Sequence, residues 1–147
     1  MKKISVFLMA AVLALSICAC GSTPANNGGE QTKEPASPPD LTGEWKQVNS
    51  NSEDTWQAAT ISGNEIIINW ISDNGDTKSL YWAGTFVAPT TTDEPYSWDS
   101  LNDKDQTSLA LLASGDDTKT FTYSDGQLSY EAGALGTTMT IRMEKVG

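Results

Sequence analysis

The chain has 147 residues, a net charge of −10 and no histidine. The length fits one ordinary domain with short appendages, and the acidic balance repels nucleic acid and anionic headgroups, which argues against nucleic-acid binding. Without imidazole there is no Ser-His-Asp triad, Cys-His pair or histidine-ligated zinc or haem site.

Residues 1–20 read MKKISVFLMAAVLALSICAC. Lys2 and Lys3 precede an uncharged apolar run from Ile4 to Ile17. The run is shorter than the roughly 20 apolar residues that a stable bilayer span needs. A basic start, a short apolar middle and a small-residue end describe a secretory signal. The ending Ile17-Cys18-Ala19-Cys20-Gly21 resembles the lipobox of bacterial lipoproteins, in which an aliphatic residue, a variable small residue and Ala or Gly precede the lipidated Cys. Cys20 fits through Ile17 and Ala19; Cys18 does not, because the bulky Ile17 would precede it. The resemblance implies that residues 1–19 are a cleaved signal peptide and that Cys20 carries a diacylglyceryl thioether. The protein would then sit lipid-anchored on the extracytoplasmic face of a bacterial cell membrane. Each buried methylene contributes about 0.8 kcal/mol, and two chains anchor stably where one is marginal. An ordinary secreted protein with Cys20 as a free thiol is the alternative. Both cysteines lie in this segment, so the remainder has no disulfide and no cysteine metal site.

Residues 21–40, GSTPANNGGEQTKEPASPPD, hold four of the six prolines and no aliphatic side chain larger than Ala. Such a stretch buries too little apolar surface to offset its ordering entropy. Residues 20–40 therefore read as the lipidated Cys and a disordered linker, with an end-to-end distance of roughly 25 Å. Residues 41–147 read as one domain, with six basic against sixteen acidic residues. Solubility is the plain reading of that charge; attraction to a basic partner is the sharper one.

The domain reads as β almost throughout. Strands are expected at 42–49, 55–61, 65–72, 78–87 and 96–101, with turns at Ser62-Gly63-Asn64 and Asp73-Asn74-Gly75-Asp76. The segment 105–114 (DQTSLALLAS) has Leu109 and Leu112 at helical spacing, Asp105 as a candidate N-cap and Gly115 as a stop. It reads as a short helix, with an extra strand as the alternative.

The clearest hairpin comes late. Residues 119–124 meet 127–132 across Asp125-Gly126, a pair suited to a two-residue turn with positive φ at both positions. That turn pairs Ser124 with Gln127, Tyr123 with Leu128 and Phe121 with Tyr130. One face then carries Phe121, Tyr123, Leu128, Tyr130 and Ala132, and the other is polar. Gly133–Gly136 makes another turn. A last strand at 138–145 turns Met139, Ile141 and Met143 inward. Eight short strands joined mostly by hairpins point to an all-β fold, an eight-stranded up-and-down antiparallel barrel, because closure removes exposed edges.

Gly43-Glu44-Trp45 at the start of the first strand resembles the G-x-W opening of lipocalins and related calycin barrels. The resemblance implies that Trp45 packs across the closed end, under an Arg from the last strand. Arg142 is the only arginine and lies in that strand, on the face opposite Met139, Ile141 and Met143. With its signal and tether, the whole chain resembles small lipid-anchored barrels of Gram-positive bacteria.

Five tryptophans carry the candidate site: Trp45, Trp70, Trp82, Trp56 and Trp98. Trp45, Trp70 and Trp82 are expected to fill the barrel, the alternative being an aromatic-lined cavity for a ligand. Trp56 and Trp98 have polar neighbours and are expected at the surface, where a binding patch would show. The carboxylates mostly fall in turns, where Asp bonds locally, and no spacing brings two together as a glycosidase pair. Asp73-Asn74-Gly75-Asp76 lacks the ligand set of a calcium loop. No catalytic residue, metal or cofactor is therefore assigned. The expected function is a non-enzymatic binding role at the envelope, for a small apolar ligand or an envelope protein. A protein–protein interaction module (adhesin, inhibitor or immunity-type) is the alternative, and a carboxylate-dependent glycan hydrolase the more distant one.

Overall fold

The structure, a computed structural model, describes residues 36–134 and 136–147. The expected signal peptide, Cys20 and the expected linker as far as residue 35 lie outside the described residues. Residues 36–147 fall in one compact unit. Its strands are β1 (Gly43–Gln47), β2 (Trp56–Ser62), β3 (Glu65–Ser72), β4 (Thr77–Thr85), β5 (Tyr96–Leu101), β6 (Thr118–Ser124), β7 (Gln127–Ala134) and β8 (Thr137–Lys145). They form one antiparallel sheet in the order β4-β3-β2-β1-β8-β7-β6-β5. The chain runs up and down, and the β1–β8 ladder joins its two halves.

Local sequence explains the register. Asp125 and Gly126 both adopt positive φ, +53° and +80°, as the hairpin needs. Ser124 pairs with Gln127, Tyr123 with Leu128 and Phe121 with Tyr130, as the alternation dictates. Phe121, Leu128, Tyr130 and Ala132 are buried on the inner face. In β3, Ile66 and Ile68 enter the core while Asn69 and Ile71 are buried on the opposite face. The β8 alternation breaks at its start: Ile141 and Met143 are buried, but Met139, expected inward, is exposed. Its partner Ala132 lies close to the β7–β8 turn, at the end of the sheet.

The sheet curls strongly into a half-barrel and does not close as a continuous cylinder. Its edges, β4 and β5, share no strand ladder among the described residues; they come together at the bridge Gly84–Asn102 and through side chains, the Leu101 amide donating to the Thr85 hydroxyl at 2.9 Å. The ten residues 86–95 join these edges with no tight hairpin, and a sixteen-residue excursion, 102–117, leaves β5 before β6 begins. That excursion covers the β4 edge. The Asp103 amide donates to the Ala83 carbonyl at 2.8 Å, and the Ser114 amide to the Tyr81 carbonyl at 2.8 Å. Strand edges with free carbonyls invite pairing with other chains, and the excursion supplies the donors. Gly84 permits the close approach, because a Cβ there would lie 2.5 Å from the Leu101 carbonyl oxygen.

The helix expected over 105–114 is a correction. Only α1, Lys104–Thr107, is helical, capped by the Asp103 carboxylate, which accepts from the Asp105 amide. Beyond it the chain is drawn onto the β4 edge through Ser114, and those bonds replace further helical ones. Leu109, Leu111 and Leu112 are left exposed.

One end of the half-barrel is covered. β1, β3, β5 and β7 all start there. Trp45 donates its indole N–H to the Leu41 carbonyl at 3.0 Å, and Tyr123 meets its ring edge-on. Trp45 is buried there. Arg142 pairs with Ser129 on the outer face and is exposed, and the ring that meets Trp45 is Tyr123.

Candidate ligand cavity at the open end

The opposite end, where β3 and β7 finish and β2 begins, is open. A cavity of about 680 Å³ lies there, lined by Thr55, Trp70, Ser72 and Tyr81 on one side and by Leu111–Asp116 on the other, with Gly133 between. Small-molecule sites span roughly 300–1,000 Å³ and combine apolar walls with a few polar groups. Trp70 supplies an apolar wall because residues 66, 68 and 70 share the inner face of β3. Tyr81 arrives by a different route. The β3–β4 register shifts between Ile68 and Asn69, leaving Tyr81 as the extra residue of β4. A bulge re-aims side chains, and here both Tyr81 and Trp82 enter the core. The Tyr81 ring meets Trp70 edge-on at 5.5 Å.

The far wall is held by an ion pair and its neighbours. Lys119, buried on β6, donates to the Asp116 carboxylate at 2.9 Å and to the Glu131 carbonyl at 3.1 Å. Its ammonium also lies over the rings of Tyr81 and Trp82, at 5.4 and 5.3 Å. The Ser114 hydroxyl donates to Asp116 at 2.7 Å. That hydrogen bond first, and then Lys119, hold the Asp116 carboxyl below the ordinary carboxylate range. The Asn102 amide and the Lys104 ammonium bond the carbonyls of Ser114, Gly115 and Asp116 from outside. The excursion is therefore pinned, while its leucines remain uncovered.

The core behind Trp70 and Tyr81 holds a few polar groups that are incompletely paired. Gln57 is wholly buried, and neither its amide nitrogen nor its amide oxygen has a partner. Its main chain pairs with Trp70, which places both side chains on the inner face. The hydroxyls of Tyr81 and Tyr130 are likewise buried without partners, and the two rings lie 6.4 Å apart. Burial, and then the neighbouring Tyr81, push the Tyr130 phenol well above its usual value.

The five tryptophans occupy five different environments. Trp70 alone among them lines this cavity. Trp45 covers the closed end, and Trp82 is buried with its indole donating to the Ser100 hydroxyl at 3.0 Å. Trp98, expected at the surface, is only 6% exposed. It stacks on Phe121 at 5.2 Å and on Tyr96 at 5.8 Å. Its polar neighbours Ser97 and Asp99 occupy the outer face, so they carried no information about the side chain between them. Trp56 lies half-buried on the outer face, with the Lys46 ammonium 4.3 Å from its ring centre. Tyr81, Leu111, Leu112 and Gln57 are the positions that the tryptophan pattern missed. Adjacent aromatics at Tyr81-Trp82, inside an alternating strand, are the signal that marks the bulge. Set against protein-family models, curated proteins and solved structures, the chain matches none of them.

Proposed function

We propose that this chain is a lipid-anchored, non-enzymatic binding protein of the bacterial envelope, whose open half-barrel holds a small, largely apolar molecule. The observation that carries the reading is the cavity of about 680 Å³ walled by Trp70, Tyr81, Leu111 and Leu112. The G-x-W start, the end-covering Trp45 and the up-and-down sheet support a likeness to lipocalin-type carriers. Anchoring at Cys20 rests on the lipobox resemblance and the proline-rich spacer after it. Mass spectrometry of the protein from its host tests that half: a diacylglyceryl addition on Cys20 is expected, and an unmodified thiol overturns it. The binding half is tested with N-phenyl-1-naphthylamine, a neutral apolar dye, added to residues 36–147. Saturable dye emission, weakened at least fivefold by Trp70→Ala, is expected. Emission that never saturates, or that ignores Trp70→Ala, overturns it.

A second reading, an interaction module acting on another envelope protein, draws on Leu109 and Leu111, which are 93% and 97% exposed. Exposed aliphatic clusters mark interaction sites. Leu109→Glu separates the readings, because it lies outside the cavity lining and leaves dye binding intact while removing a protein contact.

A further inference from the structure

The core behind the cavity lining offers chemistry that an apolar ligand alone would leave unused. Four buried polar atoms there lack partners, the two amide atoms of Gln57 and the hydroxyls of Tyr81 and Tyr130, and of these three residues Tyr81 alone lines the cavity. Each buried, unpaired polar group costs about 1–3 kcal/mol. Their places in the fold are connected. Tyr81 lines the cavity and lies beside Tyr130, while Trp70, in edge contact with Tyr81, pairs across the ladder with Gln57. Trp70 is the half-buried member of this set and stands between the open cavity and the buried atoms. Together the amide and the two hydroxyls can donate and accept.

The charges around the cavity select the kind of head that can pair there. The nearest cation, Lys119, is already matched by Asp116 and the Glu131 carbonyl. Lys104 on the outer side is matched by Asp117 at 3.0 Å. An anionic head would have to displace Asp116 from Lys119 or be buried with only neutral donors against its charge. A cationic head would be buried beside Lys119 and lose its hydration without a free carboxylate at the floor. Building on the proposed binding role, we infer that the cavity takes an uncharged amphiphile. Its apolar body rests on Trp70, Leu111 and Leu112, and its hydroxyl- or amide-type head passes Trp70 to bond the Tyr81 hydroxyl and the Gln57 amide.

The test compares n-octanol, n-octanoate and n-octylammonium by calorimetric titration of residues 36–147, alongside the neutral dye. The alcohol is expected to bind at least tenfold more tightly than either ion. Tyr81→Phe, which removes only an unpaired hydroxyl, is expected to fold normally and to weaken the alcohol about fivefold. Octanoate or octylammonium binding as tightly as octanol overturns the inference, as does an alcohol affinity unchanged by Tyr81→Phe. If the dye binds in these cases, the binding role survives and only the head-group assignment falls. If neither dye nor alcohol binds, both fall.

Discussion

Lys119 donates to Asp116 at 2.9 Å, and this pair ties an inner-face residue of β6 to the excursion that walls the cavity. The two ends differ in burial: the Lys119 side chain is 5% exposed and the Asp116 side chain 58%. Removing the acid strands a buried charge, whereas removing the base frees a carboxylate into water. Asp116→Ala is therefore expected to cost about 1–3 kcal/mol, and Lys119→Met to stay within about 1 kcal/mol of the parent. Urea unfolding of both variants measures the asymmetry. Equal losses would show that the ammonium is not the stranded partner.

The same pair makes the cavity wall acid-sensitive. Asp116 titrates lower in the folded protein than its ordinary 3.8, because Ser114 and Lys119 bond its ionised form. A carboxylate with a lowered folded value stabilises the fold above the unfolded value, and the contribution fades as pH falls through the folded one. Amides of residues 111–117 are expected to exchange faster as the pH drops below about 4. Asp116→Asn is expected to remove that dependence. Exchange rates corrected for intrinsic chemistry give the readout.

Tyr130 imposes the opposite limit. Its phenol titrates above the ordinary 10.0, since burial favours the neutral form. A raised value means that the folded state holds the proton more tightly. Its contribution is full below the unfolded value and is lost as pH rises from there toward the folded value. Absorbance titration at alkaline pH is expected to show Tyr130 ionising only as the protein unfolds. Tyr130→Phe removes an unpaired buried hydroxyl and is expected to leave stability unchanged or raise it by up to about 1 kcal/mol. A loss of more than about 1 kcal/mol would mean that the hydroxyl has a partner.

Gly84 marks where the two sheet edges come together. A Cβ at this position would meet the Leu101 carbonyl oxygen and the Ser100 hydroxyl at 2.5 Å. Gly84→Ala is expected to cost about 1–3 kcal/mol by forcing β4 and β5 apart. Thermal unfolding measures it. An unchanged midpoint would mean that the edges do not need this contact.

Legibility followed the physics of each segment. Where alternation is strict and a turn has its own chemistry, as in Phe121–Tyr130 around Asp125-Gly126, the sequence dictates register residue by residue. Trp98 is buried between exposed Ser97 and Asp99, because outward neighbours say nothing about the face between them. In the excursion Leu109 and Leu112 have helical spacing, but the β4 edge takes the Asp103 and Ser114 amides on either side of them. The cavity itself was hidden for a related reason. It depends on the Tyr81 bulge and on contacts between β4 and residues 111–116, more than 25 positions away, which no local pattern encodes.

The most direct test of the binding cavity is an NMR titration of residues 36–147 with the neutral dye, following the five indole N–H signals. The Trp70 signal and the amides of Leu111–Asp116 are expected to shift saturably, while those of Trp45 and Trp56 stay in place. Shifts confined to Trp56, or no saturable shift at Trp70, would contradict a ligand site at the open end.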